Sequence, residues 1–195
     1  MSKIIDDLIT NSKDGLLRTS DVEKNGGLRQ DIKKYVDNNK LYKVGRGLYQ
    51  IADEWEDELY TLHIKYSKGI VSCETALYIH GLTDLTPSQY YLTFPQGYHS
   101  ESLKDENVII KRVVPAIYEL GIEEGLSFNN HKILVYDVER TLCDIVKGEG
   151  SDIQIVKEAM KRYARDKSRN INKLINYAEH LHVKKKVLRY MEILL

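Results

Sequence analysis

Residues 26–51, GGLRQDIKKYVDNNKLYKVGRGLYQI, decide how this chain is read. Within them Leu28, Ile32, Tyr35 and Val36 recur at helical spacing. Residues 28–38 therefore predict a short helix with those four side chains on one face. The other face carries Gln30, Lys33 and Lys34, with Arg29 on its flank. Residues 40–44 and 48–51 read as two short strands around Gly45-Arg46-Gly47. A helix with a polar, basic outer face followed by a basic hairpin is the reading end of a winged helix-turn-helix.

Upstream, residues 2–9 predict a helix with Ile4, Ile5, Leu8 and Ile9 apolar, and residues 15–17 are extended. Ser20-Asp21-Val22-Glu23 has the S-x-x-E pattern of a capping box, so a second helix starts near Thr19 or Ser20. Gly26-Gly27 then makes the turn into the third helix.

Downstream, residues 53–68 predict an amphipathic connecting helix with Trp55, Leu59, Leu62 and Tyr66 on its apolar face. Asp53, Glu54, Glu56, Asp57 and Glu58 would offset the dipole at its start. Residues 72–82, SCETALYIHGL, predict a helix capped by Ser72 and stopped by Gly81. Residues 90–94, 108–114 and 133–136 read as strands, the last entered through a hairpin at Asn129-Asn130. Helices follow at 137–147, 151–166 and 172–195, the last in two pieces around His182. The fold class expected is α+β. A winged helix-turn-helix occupies 1–52, a connecting helix 53–69, and a mixed α/β domain with a small sheet and C-terminal helices 70–195.

Of the 195 residues 42% are apolar, enough to build a core. No run approaches the roughly 20 apolar residues of a membrane helix. The start, MSKIIDDLITNSKD, lacks a long apolar region, so a cytoplasmic protein is expected. Cys73 and Cys143 lie 70 apart without a CxxC spacing, and a reduced pair is expected over a disulfide. The net charge is zero, but it is unevenly spread. Residues 1–52 carry +3, residues 53–150 carry −9 and residues 151–195 carry +6. For a nucleic-acid partner the local charge matters more than the total.

Catalytic motifs are hard to find. There is no GxxxxGK[ST] and no GxGxxG after a strand. Gly150-Ser151-Asp152 resembles a nucleotidyltransferase Gly-Ser only faintly, and Ser151 reads better as an N-cap. His180 and His182 cannot share a helix face. No metal and no cofactor are expected. Cys73 sits beside a helix start, which could lower its pKa; a packed free thiol is the plainer reading. Asp137, Glu139, Arg140 and Asp144 lie along one helix, with Arg140 and Asp144 spaced for a surface bridge.

A DNA-binding reading assigns more residues. Thr19, Ser20 and Asn25 would contact phosphates near a helix start. Arg29 would pair with a guanine edge and Gln30 with an adenine edge. Lys33 and Lys34 suit phosphates or guanine. Arg46 at the hairpin tip would enter a minor groove while Lys43 meets the backbone. The alternative is that these are solvated faces used for protein contact. A second basic region holds Lys157, Lys161, Arg162 and Arg165, then Lys184, Lys185 and Lys186. It is either a solvated face or a further phosphate or partner surface.

Together these segments resemble the AbiEi-type antitoxins of bacterial type IV, abortive-infection toxin–antitoxin systems. The likeness rests on Thr19-Ser20-Asp21 and on residues 41–49, LYKVGRGLY. It extends to Ser72-x-x-Thr75-Ala76-Leu77-x-x-His80-Gly81-Leu82, to Phe94-Pro95, and to Val135-Tyr136-Asp137-x-Glu139-Arg140-Thr141-Leu142-x-Asp144. The resemblance implies a non-catalytic repressor that binds inverted repeats of double-stranded DNA in its own promoter, as a dimer or as monomers meeting on DNA; with no long heptad seam in the sequence, a monomer in solution is expected. It also implies that the C-terminal domain neutralises a cognate nucleotidyltransferase-type toxin without a stable complex. Asp137, Arg140 and Asp144 are candidates for that role by their position in the matching segment. Two other readings stay open. One is an enzyme acting on a nucleotide or on the toxin, with a pocket gathering Cys73, His80 and Asp144. The other is a ligand-sensing transcription factor.

Overall fold

The computed structural model describes residues 2–148 and 151–194 and is of the α+β class. The chain forms two units, Met1–Lys65 and Tyr66–Leu195. In the first, helices α1 (Lys3–Thr10), α2 (Thr19–Lys24) and α3 (Arg29–Asp37) pack on a three-stranded sheet. Its strands β1 (Leu16–Arg18), β2 (Leu41–Gly45) and β3 (Leu48–Ile51) run antiparallel in the order β1-β3-β2. Leu16 faces Gln50 and Leu41 faces Ile51, so β3 is the middle strand. Ile5, Leu17, Val22, Ile32, Tyr35 and Leu41 form the core between helices and sheet. The buried Tyr35 hydroxyl lies 2.9 Å from both the Ser2 carbonyl and Asp6 Oδ1. Burial and the Asp6 carboxylate push its pKa up to about 12, which keeps it a donor. The turn before α3 depends on its glycines. A Cβ on Gly27 would sit 2.7 Å from Val22 Cγ1, so a larger residue would push α3 off α2.

Several local expectations change. The helix expected at 28–38 begins one residue later, and Leu28 is its N-cap, 57% exposed instead of facing the core. Helix α2 starts at Thr19 after an Arg18 N-cap, with no side-chain cap bond. The Thr19 amide already donates to Gly47 O at 2.9 Å. The chain is thus committed to the helix before Ser20, and the capping box does not form. The connecting helix is α4 (Glu58–Lys65), shorter than expected and part of the first unit. Its cap is Asp57, whose Oδ1 accepts from the Tyr60 amide at 3.1 Å. Residues 53–56 precede it, and Trp55 is 90% exposed instead of packed.

The α1–β1 loop is held by Asp14. Its carboxylate accepts from the Leu16 amide at 3.1 Å, the Tyr60 hydroxyl at 3.2 Å and Arg18 Nη2 at 2.7 Å. Burial works against the charge, but Arg18 and the Leu16 amide outweigh it and hold the pKa below 3.8. A depressed carboxylate stabilises the fold above its unfolded pKa and loses that contribution as pH falls through the folded one. Asp14→Asn therefore costs about 1.5 kcal/mol at pH 7, typical of hydrogen bonds to a charged group. Urea titrations at pH 7 and pH 3 should show the gap between the two proteins shrinking in acid; a gap that persists at pH 3 would contradict this account.

The second unit is built on a five-stranded mixed sheet in the order β6-β5-β4-β8-β7. The strands are β4 (Ile70–Val71), β5 (Tyr90–Pro95), β6 (Val108–Val113), β7 (Ile122–Leu126) and β8 (Lys132–Tyr136). β5 and β6 pair in parallel, as do β4 and β8; the other neighbours are antiparallel. Strand β7 is not among the strands expected from sequence, because Glu123-Glu124-Gly125 breaks any apolar alternation. The Asn129-Asn130 turn is where it was expected, with Asn130 at φ +64°.

Helices α5 (Cys73–Ile79), α7 (Val138–Lys147), α8 (Ile153–Arg165), α9 (Ile171–His180) and α10 (Lys184–Leu194) accompany this sheet, with a short α6 (Pro115–Tyr118) between β6 and β7. Leu77, Leu142, Met160, Tyr163, Leu174 and Val187 draw the five longer helices into one core. Asp152 caps α8, not Ser151, by accepting from the Gln154 amide at 2.7 Å. Gly150 lies outside the described residues. His182 at φ +60° separates α9 from α10 as expected.

Candidate functional site

Two groups of predicted residues can be followed into the structure. The first lies on α3 and the β2–β3 hairpin. Arg29, Gln30, Lys33, Lys34, Lys43 and Arg46 are all exposed. Lys34 Nζ bonds Asp31 Oδ1 at 3.0 Å, so part of its charge is already answered. Ser20 is exposed, and the Asn25 amide donates to the Asp21 carbonyl at 2.8 Å. Thr19 does not join this surface. It is buried, and its hydroxyl has no partner among the described residues. Two exposed residues were missed. Leu28 stands at the head of α3 beside Arg29, and Tyr42 on β2 is 51% exposed beside Lys43. Helical periodicity counted Leu28 inward; the signal against that was the Gly-Gly turn directly before it.

The second group surrounds the start of α7. Asp137 follows β8 and caps α7, its Oδ1 accepting from the Arg140 amide at 2.8 Å. Arg140 is fully buried, so the surface bridge expected with Asp144 is instead an interior pair. Arg140 Nε meets Asp144 Oδ2 at 3.0 Å. Its Nη1 donates to the carbonyls of Ile117 at 2.5 Å and Leu120 at 2.7 Å, and its Cζ lies 4.1 Å from the Tyr136 ring centroid. Burial raises the Asp144 pKa against the opposing pull of Arg140 and Lys111. Gly121 lets this arrangement close. It sits at φ +79°, and a Cβ there would lie 2.9 Å from both Arg140 Cβ and Asp137 Oδ2.

Asp137 and Glu139 are buried as well, and they share one lysine. Lys173 Nζ lies 3.1 Å from Asp137 Oδ2 and 3.3 Å from Glu139 Oε2. The hydroxyl of Tyr177 donates to Asp137 at 3.2 Å and that of Tyr163 to Glu139 at 3.1 Å. These contacts tie α7, α8 and α9 together. The segment expected to carry a surface bridge is thus a polar interior brace.

Cys73 and Cys143 are both free and buried. Cys73 adopts φ +50°, and Lys111 Nζ lies 3.0 Å from its sulfur. Cys73 is the packed free thiol of the plainer reading, and its position beside the α5 start does not lower its pKa. Burial and the nearby Asp144 raise it, outweighing Lys111. A protonated, enclosed thiol is a poor nucleophile. His80 Nε2 is engaged with the Tyr136 carbonyl at 2.7 Å. The second basic region is partly neutralised. Arg162 pairs with Asp84 and Glu158, and Lys184 with Glu179. Lys157, Lys161, Arg165, Lys185 and Lys186 are exposed, and none has an ion pair among the described residues. No described helix is long and apolar enough to cross a membrane.

No family model matches the chain. A 63-residue stretch is 30% identical to Elongator complex protein 1 of Saccharomyces cerevisiae, covering 32% of this chain and 5% of that protein. So small a part of the larger protein transfers no activity. Among solved structures, the RV2827C protein of Mycobacterium tuberculosis matches with a TM-score of 0.67 at 11% identity. The match covers 97% of this chain and 80% of that one. At this identity the likeness is one of fold.

Proposed function

We propose that the chain is a bacterial, cytoplasmic, non-catalytic DNA-binding antitoxin, with a winged helix-turn-helix in its first unit. On this reading it represses its own promoter by binding inverted repeats. Its second unit neutralises a nucleotidyltransferase-type toxin without forming a stable complex. The observation that supports the DNA half is the exposed set Arg29, Gln30 and Lys33 on the first turns of α3, next to a hairpin exposing Lys43 and Arg46. Arg and Gln can each make bidentate bonds to purine edges, which gives sequence discrimination. The lysines and Arg46 supply the salt-sensitive hold on phosphates. The antitoxin half is supported by the sequence resemblance across residues 72–144.

The test takes the full chain, its own upstream DNA and a scrambled duplex. Binding should favour the upstream repeats and weaken with salt at a log–log slope of about −3, as expected for three or four phosphate contacts. Equal affinity for the scrambled duplex would overturn the repressor reading. Co-expression with a cognate nucleotidyltransferase-type toxin, sought first in the neighbouring gene, should restore growth; continued growth arrest would overturn the antitoxin reading separately.

A further inference from the structure

Trp55 is the only tryptophan of the chain and is 90% exposed. Tryptophan is a largely buried residue in most folds, so a nearly naked indole is unusual. It is not on a loose strand. The segment is pinned on one side by the Glu54 amide on the Ile51 carbonyl at 3.2 Å, and by the Ala52 amide on the Lys40 carbonyl at 3.1 Å. On the other side Asp57 caps α4. Asp53, Glu54, Glu56 and Glu58 flank Trp55 in the chain, are exposed, and pair with no cation among the described residues. The fold thus presents an exposed indole on an anchored segment whose exposed chain neighbours are acidic.

The second unit carries the matching socket. A cavity of about 400 Å³ opens between α7, α8 and α10, floored by Ile145, Ile153, Val156 and Tyr190. Lys186 and Arg189 stand on its wall, exposed and without an ion pair among the described residues. Ile153, 55% exposed, leaves apolar surface open at this site. The cavity has room for an indole, and the two cations suit the carboxylates beside it in the chain. Tryptophan and arginine are the residue types most enriched at the energetic centres of protein interfaces.

We propose that Trp55 of one copy docks into the Ile145–Tyr190 cavity of a second copy, with Lys186 and Arg189 meeting the acidic residues around it. Knob and socket are different surfaces, so the contact is head-to-tail and can continue from copy to copy. One anchor side chain makes a weak contact, so dilute protein remains monomeric. Neither surface includes the α3 and hairpin side chains proposed to read DNA; Lys186 belongs to the second basic region, and a test without DNA keeps the contact independent of that reading.

The experiment uses the full chain without DNA. As concentration rises, the Trp55 emission should move to shorter wavelength while sedimentation shows mass growing past the dimer. Salt should reverse both changes. Trp55→Ala and the double variant Lys186→Glu/Arg189→Glu should each weaken self-association by about 30-fold. Both change exposed side chains, and a native circular-dichroism melt checks that each folds. Mixed in equal amounts, they should form a heterodimer and stop there, since one retains the socket and the other the knob. An exposed-indole emission with monomer mass at every concentration overturns the proposal. So does a short-wavelength emission independent of concentration, or a mixture that stays monomeric while the unaltered chain associates.

Discussion

Replacing Arg140 by methionine destabilises the second unit by about 3–5 kcal/mol, the usual cost of removing one partner from a buried ion pair. The size follows from what is left behind. Asp144 keeps its carboxylate in the interior without its nearest cation, and the Ile117 and Leu120 carbonyls lose their donor. The Tyr136 ring loses the guanidinium stacked on it. Methionine fills much of the vacated volume, so the loss reports electrostatics and hydrogen bonding more than a cavity. The pH dependence is specific. Asp144 already titrates above an ordinary carboxylate because it is buried, and without Arg140 it rises further. A folded-state pKa above the unfolded value makes stability fall as pH rises between the two. The Arg140→Met penalty should therefore be smaller at pH 5 than at pH 8 in urea titrations. Adding Asp144→Leu should return part of the lost stability, since it removes the stranded charge. A single variant with an unchanged unfolding midpoint at pH 8 would refute the account of this pair.

This prediction inverts what the sequence led one to expect of α7, and the reason is physical. An Arg and an Asp four apart on a helix look the same in sequence whether they face water or the interior. Here burial is decided by α6 and by Gly121, which bring the Ile117 and Leu120 carbonyls up to the guanidinium from 23 and 20 residues away. No local pattern encodes that approach. Periodicity did find Ile32 and Tyr35 of α3 and Leu59 and Leu62 of α4, all of them buried. It failed at element ends. Leu28 and Trp55 lie just outside their helices, where the 3.6-residue repeat no longer says which way a side chain faces. Thr19 failed for a tertiary reason: β3 and the hairpin close over it, and its amide is taken by Gly47. Charged and polar side chains were easier to place, and all six of the α3 and hairpin residues chosen for DNA contact are exposed.

On the proposed DNA-binding reading, combining Arg29→Ala, Gln30→Ala and Arg46→Ala weakens binding to the promoter repeat by at least about 100-fold. A good bidentate base contact carries roughly 1–3 kcal/mol of discrimination, and two such contacts are removed. The fold should tolerate the change, because all three side chains are exposed and such substitutions usually move stability by less than about 0.5 kcal/mol. The pattern of loss separates the roles. Arg29→Ala and Gln30→Ala should erode the preference for the repeat over scrambled DNA, each at one base position. Lys33→Ala and Lys43→Ala should instead weaken both duplexes equally and flatten the salt slope by about one unit each. Lys34→Ala should do less, because Asp31 already holds its ammonium. Thr19→Val should leave DNA affinity unchanged, since the hydroxyl is enclosed and cannot reach a phosphate. Leu28→Ser tests the residue that periodicity misplaced. An exposed leucine at the head of a reading helix is suited to a thymine methyl group, so its loss should cost affinity only on repeats carrying thymine at that position. If the triple variant retained full affinity and full preference for the repeat, α3 would not be the reading helix. The basic face would then be a solvated surface or a protein contact.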